Sequence, residues 1–413
     1  MTTLPGNTTE SETEATNIPS STPGGHSRSP ERTHRVRRSV SVWVVVAVVL
    51  LAAVAGFAAY HILAASKGSS SGNACTSQCH SLVVWAYDGI FGGGSSPGAA
   101  RGAVFQQFGN LTGSTVTVVS VSGNLAQALI NAKPGTLPDV VMGLDELEAP
   151  EADQAGLLIP YTSPQLAHVN PAVVSTIAPD HSVTPYEYGY LGLDYNISTD
   201  SSLGHPFSQG DFFQALQANP SLAKNLYYPD PVQGDITGEE FLAWEVEYYT
   251  NVLHQNWTTF WTSVAPDIHP LPDWSTCWSE FTSGVAPTCL SYISDPAAEA
   301  YFGAGGWMNT SVAQHGGKNW SWMTVYGTGI VKGGVHNLTL AQDFIDWTLG
   351  GTVQREVPTN EWMEPANNTV SMPGVYNWTL PLSSVSAVNQ FTTPSQSSSE
   401  MTSWVLQLEA IVF

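Results

Sequence analysis

No Asp, Glu, Lys or Arg occurs between Arg38 and Lys67, and most of that interval is Val, Leu and Ala. An α-helix rises 1.5 Å per residue, so about 20 apolar residues cross the hydrocarbon of a bilayer. Residues 40–65 meet that length, whereas a cleavable signal carries an apolar run of only ~7–15 residues. We therefore expect a retained single-pass transmembrane anchor, with A-A-S after Leu63 leaving cleavage open. Arg28, Arg32, Arg35, Arg37 and Arg38 crowd the N-terminal flank, which under the positive-inside rule keeps residues 1–39 in the cytoplasm. Those residues are rich in Thr, Ser, Pro and Glu without an apolar period, so they read as disordered. The body of the chain then lies outside the cell, in the cell membrane's extracellular space. A lipid anchor on Cys75 is the weaker alternative, because G-N-A precedes that cysteine.

The exported part is strongly acidic. Its bases are Arg101, Lys133, Lys224, Lys318, Lys332 and Arg355, while all but four of the 34 acids (Glu10, Glu12, Glu14 and Glu31) lie in it. Such a surface repels nucleic acid and anionic lipid and attracts cations. Asn-X-Ser/Thr sequons at Asn110, Asn196, Asn256, Asn309, Asn319, Asn337, Asn367 and Asn377 suit a glycosylated surface protein. All four cysteines lie outside, where disulfides are permitted. Four cysteines allow three pairings. We expect Cys277 with Cys289, which flank a short helical pattern followed by a strand, and Cys75 with Cys79. A zinc site at Cys75, Cys79 and His80 lacks a clear fourth ligand.

Residues 66–80 read as a Gly/Ser tether carrying the first cysteine pair. From Ser81 onward apolar runs alternate with helical stretches, an α/β signature. The expected strands are Leu82–Tyr87, Thr115–Val121, Val140–Gly143, Tyr186–Tyr195, Thr288–Ile293 and Trp322–Val331. The expected helices are Pro97–Phe108, Leu125–Ala132, Gly238–Tyr249, Trp257–Ser263 and Leu340–Leu349. Polar and aromatic residues recur just after the strands, and ligands of open α/β sheets bind beyond the carboxyl ends of the strands. A tethered enzyme is disfavoured: there is no H-E-x-x-H, no dense His/Asp cluster, and the G-S-S-S-G at Gly68–Gly72 sits in the tether. No cofactor is implied.

Four separated segments carry a resemblance. They are W-A-Y-D (Trp85–Asp88), P-D-V-V-M-G-L-D (Pro138–Asp145), T-P-Y-E-Y-G-Y-L-G-L-D-Y-N (Thr184–Asn196) and V-P-T-N-E-W-M-E-P (Val357–Pro365). In this order they resemble the solute-binding proteins of thiamine ABC transporters. The resemblance implies a two-lobed periplasmic-binding-protein-like fold (type II), with strands crossing between the lobes at a hinge. It assigns residues 81–186 and 326–413 to lobe 1 and residues 187–325 to lobe 2. It further implies an ABC permease and an ATPase subunit as partners, and thiamine as ligand. By the same resemblance the pocket aromatics are Tyr87, Trp274 in D-W-S-T-C-W, Tyr292 in L-S-Y-I-S-D-P-A, and Trp362 in E-W-M-E-P.

Thiamine carries a permanently cationic thiazolium, which aromatic faces attract by ~0.5–2 kcal/mol each. Departures from the family pattern point the same way. Ser122 stands where the family has an acid, no Arg occurs in D-P-V-Q-G-D-I-T-G (Asp230–Gly238), and Asp295 and Glu364 replace hydroxyl residues. Added carboxylates repel a phosphate and suit a bare cation. Unphosphorylated thiamine or a related organic cation is therefore expected over thiamine phosphates. Asp145, Tyr186 and Asp88 stand as secondary candidates, and Asp145 also fits the role of a helix cap. The rival ligands on the same fold are polyamines and ferric ion, the latter through the pairs Tyr227-Tyr228 and Tyr248-Tyr249. A structural or adhesive surface protein is the rival of another class.

Overall fold

The computed structural model of the protein describes residues 81–95 and 97–413. The expected anchor, tether and Cys75–Cys79 bridge lie outside the described residues. Among the described residues no helix is long and apolar enough to cross a membrane.

The N-terminal strands are β1 (Ser81–Tyr87), β2 (Thr115–Val121), β3 (Val140–Leu144), β4 (Leu158–Ile159) and β5 (Val183–Asn196). Later in the chain come β6 (Tyr227–Pro229), β7 (His269–Leu271), β8 (Thr288–Tyr292) and β9 (Met308–Ser311). They are followed by β10 (Ala313–His315), β11 (Lys318–Ser321), β12 (Met323–Val331), β13 (Glu364–Pro365) and β14 (Val385–Ala387). The helices needed below are α1 (Pro97–Thr112), α2 (Leu125–Ile130), α3 (Glu148–Gln154), α4 (Ile236–Glu247) and α5 (Thr258–Val264). To these are added α6 (Trp274–Thr282), α7 (Asp295–Tyr301), α8 (Leu338–Thr348) and α9 (Pro394–Val412).

β1 pairs in parallel with β2 on one side and β3 on the other. Parallel neighbours need long crossovers, which α1 and α2 supply. Buried on both faces, β3 is the continuous apolar run Val-Val-Met-Gly-Leu. The sheet runs on in the order β13-β5-β12-β3-β1-β2. β5 is long enough to serve two neighbourhoods. Its first part, Val183 to Tyr190, runs antiparallel to β12, and from Leu191 onward it pairs with β8 and β9. The change of partner falls between two close approaches: a Cβ on Gly189 would meet the Met363 sulfur at 2.8 Å, and one on Gly192 would meet Thr310 at 2.1 Å. The strand expected as a crossover thus changes its pairing partners within one unbroken run.

Beyond the switch the core is aromatic. Phe212, Phe213, Phe241, Trp244, Tyr248, Tyr249, Phe260 and Trp261 are all fully buried around α4 and α5. At Tyr248 the helix loosens into a π-helical segment, Tyr248–Leu253, which ends on His254 in the left-handed region. The Tyr248 and Tyr249 rings lie at 87° to each other. Their hydroxyls donate separately, Tyr248 to the Asp211 carboxylate and Tyr249 to Gln217 at 3.1 Å. Tyr228 is packed against Phe241 and Trp261, while Tyr227 stacks on His269. Neither tyrosine pair of the ferric reading presents two phenols to one point.

The C-terminal helix α9 went unread in the sequence because its first half is Ser, Gln and Glu. A capping box between Thr393 and Gln396 starts it. Ser397, Met401, Trp404 and Leu408 form its buried stripe. It packs on α3, α4 and α5, touching elements from both sides of the β5 switch.

One sequon is corrected by burial. Asn367 is 4% exposed and its amide donates to the Leu349 carbonyl at 2.8 Å, so the folded protein offers no glycan acceptor there. The expected Cys277–Cys289 disulfide is present, with Cα atoms 5.7 Å apart. It ties α6, which carries Trp274, to β8, which carries Tyr292. Closing a loop of sequence separation 12 stabilises by about 3 kcal/mol in the chain-entropy model. Replacing both cysteines by serine should lower the unfolding free energy by about that amount in denaturant titrations; an unchanged midpoint and slope would refute it.

Candidate functional site

Three tyrosines from three strands meet near the carboxyl ends of β1 and β8. Tyr87 closes β1, Tyr326 sits mid-way along β12, and Tyr292 closes β8. The Tyr87 and Tyr326 rings stack with centroids 5.7 Å apart. The Tyr326 and Tyr292 hydroxyls are 3.2 Å apart, and the Tyr292 hydroxyl lies 3.5 Å from that of Thr237 on α4. Gly143 makes room for the row: its φ of +102° suits glycine, and a Cβ there would meet the Tyr87 ring at 2.3 Å. All three phenols are half-buried.

Carboxyls stand at both ends of the row. The Tyr87 hydroxyl donates to Glu361 at 2.5 Å and lies 3.5 Å from Glu187. At the other end Glu240, fully buried on α4, acts on the Tyr292 and Tyr326 phenols. Burial first, and the neighbouring acids after it, hold all three phenols well above the ordinary tyrosine range. The row is therefore neutral, and its ring faces keep the electron-rich character that attracts cations.

The sequence-predicted residues fall into three groups. Tyr87 and Tyr292 belong to the row, with Tyr186 fully buried behind Tyr87 and close enough to affect it. Trp274 is one step away: it starts α6, its indole N–H donates to Ser291 at 2.8 Å, and its backbone N–H donates to Asp235 at 3.0 Å. Since Asp235 also caps α4 through Gly238 N, the Trp274 turn and the Glu240 helix share one carboxylate. Trp362 packs elsewhere, against Tyr301 and Phe302 at the end of α7, and its indole donates to the Gly93 carbonyl at 2.7 Å. It holds a left-handed φ of +57°. Its neighbour Glu361 is the residue that reaches Tyr87.

Of the remaining candidates, Ser122 donates to the Asp88 carboxylate, both on loops after strands. Asp145 accepts from Leu147 N at 2.7 Å and Glu148 N at 2.8 Å, which is the helix-cap role at the start of α3. Asp295 starts α7, accepts from Tyr292 N at 3.1 Å, and interacts with buried Asp194. Burial, and after it the Asp295 charge, hold Asp194 well above the carboxylate range. Half-buried Glu364 lies opposite Tyr188 across β13 and β5.

Tyr326, Glu187, Glu240 and Glu361 were missed. Glu187 and Glu361 stand inside the quoted motifs, and Tyr326 precedes the G-T-G of a crossover strand. Glu240 carried no signal in the sequence, since its helix face is set by packing alone. Among the described residues no three His, Cys, Asp or Glu side chains are grouped to hold a metal.

No acid around the row forms a salt bridge with a base, and Arg101 acts on Glu361 only at longer range. The ion pairs of the described residues are His205–Asp200 and His336–Asp139. Burial pushes Asp145 up to about 7, Glu187 to about 8 and Glu239 to about 8; Glu146 also reaches about 8, helped by the adjacent Asp145. Glu364 is pushed to about 7. Each group holds its proton in the folded chain at pH values where the unfolded chain, at 3.8 for Asp and 4.5 for Glu, has lost it. Folding then takes up protons, and stability falls as pH rises from the unfolded values through the folded ones. The ligand-free protein should melt at a lower temperature at pH 8 than at pH 5 by calorimetry; a rising melting temperature over that range would contradict protonated carboxyls.

Residues 103–373 match the family described as bacterial extracellular solute-binding protein. The thiamine-binding periplasmic protein of Brucella melitensis is 26% identical over 242 residues, covering 57% of this chain and 64% of that protein. The chain thus spans just under two thirds of that relative's length. A solved periplasmic thiamin binding protein superposes with a TM-score of 0.65 at 18% identity, over 84% of this chain and 100% of the other. Iron-bound HitA from Pseudomonas aeruginosa gives 0.63 at 15% identity, over 80% of this chain and 99% of the other. At such identities the superpositions establish the fold, that of type II periplasmic binding proteins. With the family match covering more than half of its length, the chain belongs to the bacterial extracellular solute-binding proteins.

Proposed function

We propose that this protein is the membrane-anchored, extracellular substrate-binding component of an ABC importer and that it binds unphosphorylated thiamine. In this reading residues 40–65 hold it to the membrane. Residues 81–186 with 326–413 form one lobe, residues 187–325 the other, and the cleft between them delivers the vitamin to a permease driven by an ATPase. The observation that carries the reading is the row Tyr87–Tyr326–Tyr292, flanked by carboxyls that form no salt bridge with a base. Neutral ring faces bordered by carboxyls that can ionise beside a ligand suit a flat organic cation, and a phosphate would oppose that ionisation. The sequence likeness to thiamine-binding relatives supports the choice of cation. Trp274 adds a wall beside Tyr292, and we assign Trp362 to the rim, where it joins the Gly89–Gly93 turn to the end of α7. Ligand contacts from both lobes would favour a closed state.

Ferric ion is the second reading, because the Tyr292 and Tyr326 hydroxyls are 3.2 Å apart beside Glu240 and because iron-binding proteins share the fold. Metal would have to displace protons from phenols held well above their ordinary range, which disfavours it.

Titration of the purified protein with thiamine should quench tryptophan fluorescence saturably. Tyr87→Ala and Trp274→Ala should each weaken binding about fivefold or more, the loss of about 1 kcal/mol of cation–π attraction. Thiamine monophosphate should bind more weakly. Equal or tighter binding of the monophosphate would defeat the unphosphorylated assignment, and a visible phenolate–iron absorption band without thiamine binding would favour the second reading.

A further inference from the structure

We propose that Glu240, Glu361 and Glu187 are the counter-charges of the bound cation, at the two ends of the tyrosine row, and that they give up protons to solvent as it enters. The inference rests on the cation-binding reading above and adds residues that none of the matching motifs marks as ligand contacts.

The geometry begins with what these carboxyls lack. Both Glu240 oxygens are buried without a hydrogen bond of ordinary geometry, and so are Glu187 Oε2 and Glu361 Oε1. Glu240 is packed among the Glu146 and Asp145 carboxyls after β3, the Thr324 hydroxyl on β12, and the Tyr292 and Tyr326 phenols. No base stands among those neighbours. Glu361 faces Tyr87 of β1, Tyr186 and Glu187 of β5, and one base, Arg101 of α1. Arg101 makes its hydrogen bond to the Asp88 carbonyl at 3.4 Å, outside the row. Glu240 has neither an ordinary hydrogen bond nor a counter-ion, and a buried carboxyl so placed does not stay ionised.

Helices and strands place these unpartnered oxygens around one neutral aromatic surface, an arrangement that is costly unless a ligand completes it. A permanent cation supplies the missing charge and stabilises the carboxylate form, so the O–H bond breaks and the proton passes to buffer. Burial first, with neighbouring charges after it for Glu240 and Glu361, pushes all three upward, Glu187 to about 8, so they begin protonated at neutral pH. Affinity for the cation should therefore rise with pH, about tenfold per pH unit for each proton released, until the carboxyls ionise unaided.

The test is calorimetric titration of the full-length protein with thiamine, monophosphate and spermidine, in two buffers of different ionisation enthalpy. Buffer-dependent heats equal to about one proton or more released per thiamine are expected for the wild type at neutral pH. Glu240→Gln and Glu361→Gln should each reduce that release, weaken thiamine binding at least tenfold, and flatten its pH dependence. Thiamine binding without proton release, and within twofold in both variants, overturns the inference and leaves the functional reading intact. Proton-releasing binding of spermidine with none of thiamine upholds the inference and overturns the vitamin. No binding of any cation overturns both. Should a variant fail to fold, the wild-type proton count decides.

Discussion

The strand Val183–Asn196 is the member on which the rest depends. A strand satisfies its backbone by pairing on both edges, and this one changes partners part-way, from β12 to β8 and β9, without a break. That single run fixes where Tyr87 and Tyr326 lie relative to Tyr292. It also puts Tyr186 and Glu187 behind the row and Asp194 beneath Asp295. Glycines at 189 and 192 permit the tight contacts at the switch, where any side chain would collide with Met363 or Thr310.

A second constraint is electrostatic. Burying acids without bases is unfavourable unless they are protonated, hydrogen-bonded or met by a ligand charge. Glu146 solves the problem with bonds from Trp322 Nε1 and Val325 N, while Glu245 accepts one from Trp261 Nε1 at 3.0 Å and keeps its other oxygen unpartnered. Asp145 solves it by capping α3. Glu240 has both oxygens unpartnered, and its place beside the Tyr292 and Tyr326 phenols sets it apart from Glu245, which bonds Trp261. The overall acidity of the exported chain says little by comparison, because surface carboxylates are screened and solvated.

The covalent and packing supports of the site are concentrated on one side. The Cys277–Cys289 bridge, the Trp274–Ser291 bond and the Asp235 carboxylate lock α6, β8 and the start of α4 together. Opposite them, Tyr87 is held by the recess over Gly143, its stack on Tyr326 and its hydroxyl contacts with Glu361 and Glu187. The C-terminal helix packs on α3, α4 and α5, so it touches elements from both sides of the β5 switch.

By itself the sequence determined the alternating α/β order, the strands at Thr115–Val121 and, one residue short, Val140–Gly143, the family, and the Cys277–Cys289 pair. Those features are written in local periodicity, β-branched runs and ordered motifs, which need no knowledge of distant neighbours. Tertiary structure alone decided that Tyr326 joins Tyr87 and Tyr292, that Trp362 packs at the end of α7 and Glu361 beside Tyr87, and that Asn367 is buried. It alone also placed Glu240, whose helix shows no pattern that marks one acid among several. The division has one cause. Periodicity tells which face of an element is buried, but which side chains meet across elements depends on packing between residues as far apart as Tyr87 and Glu361.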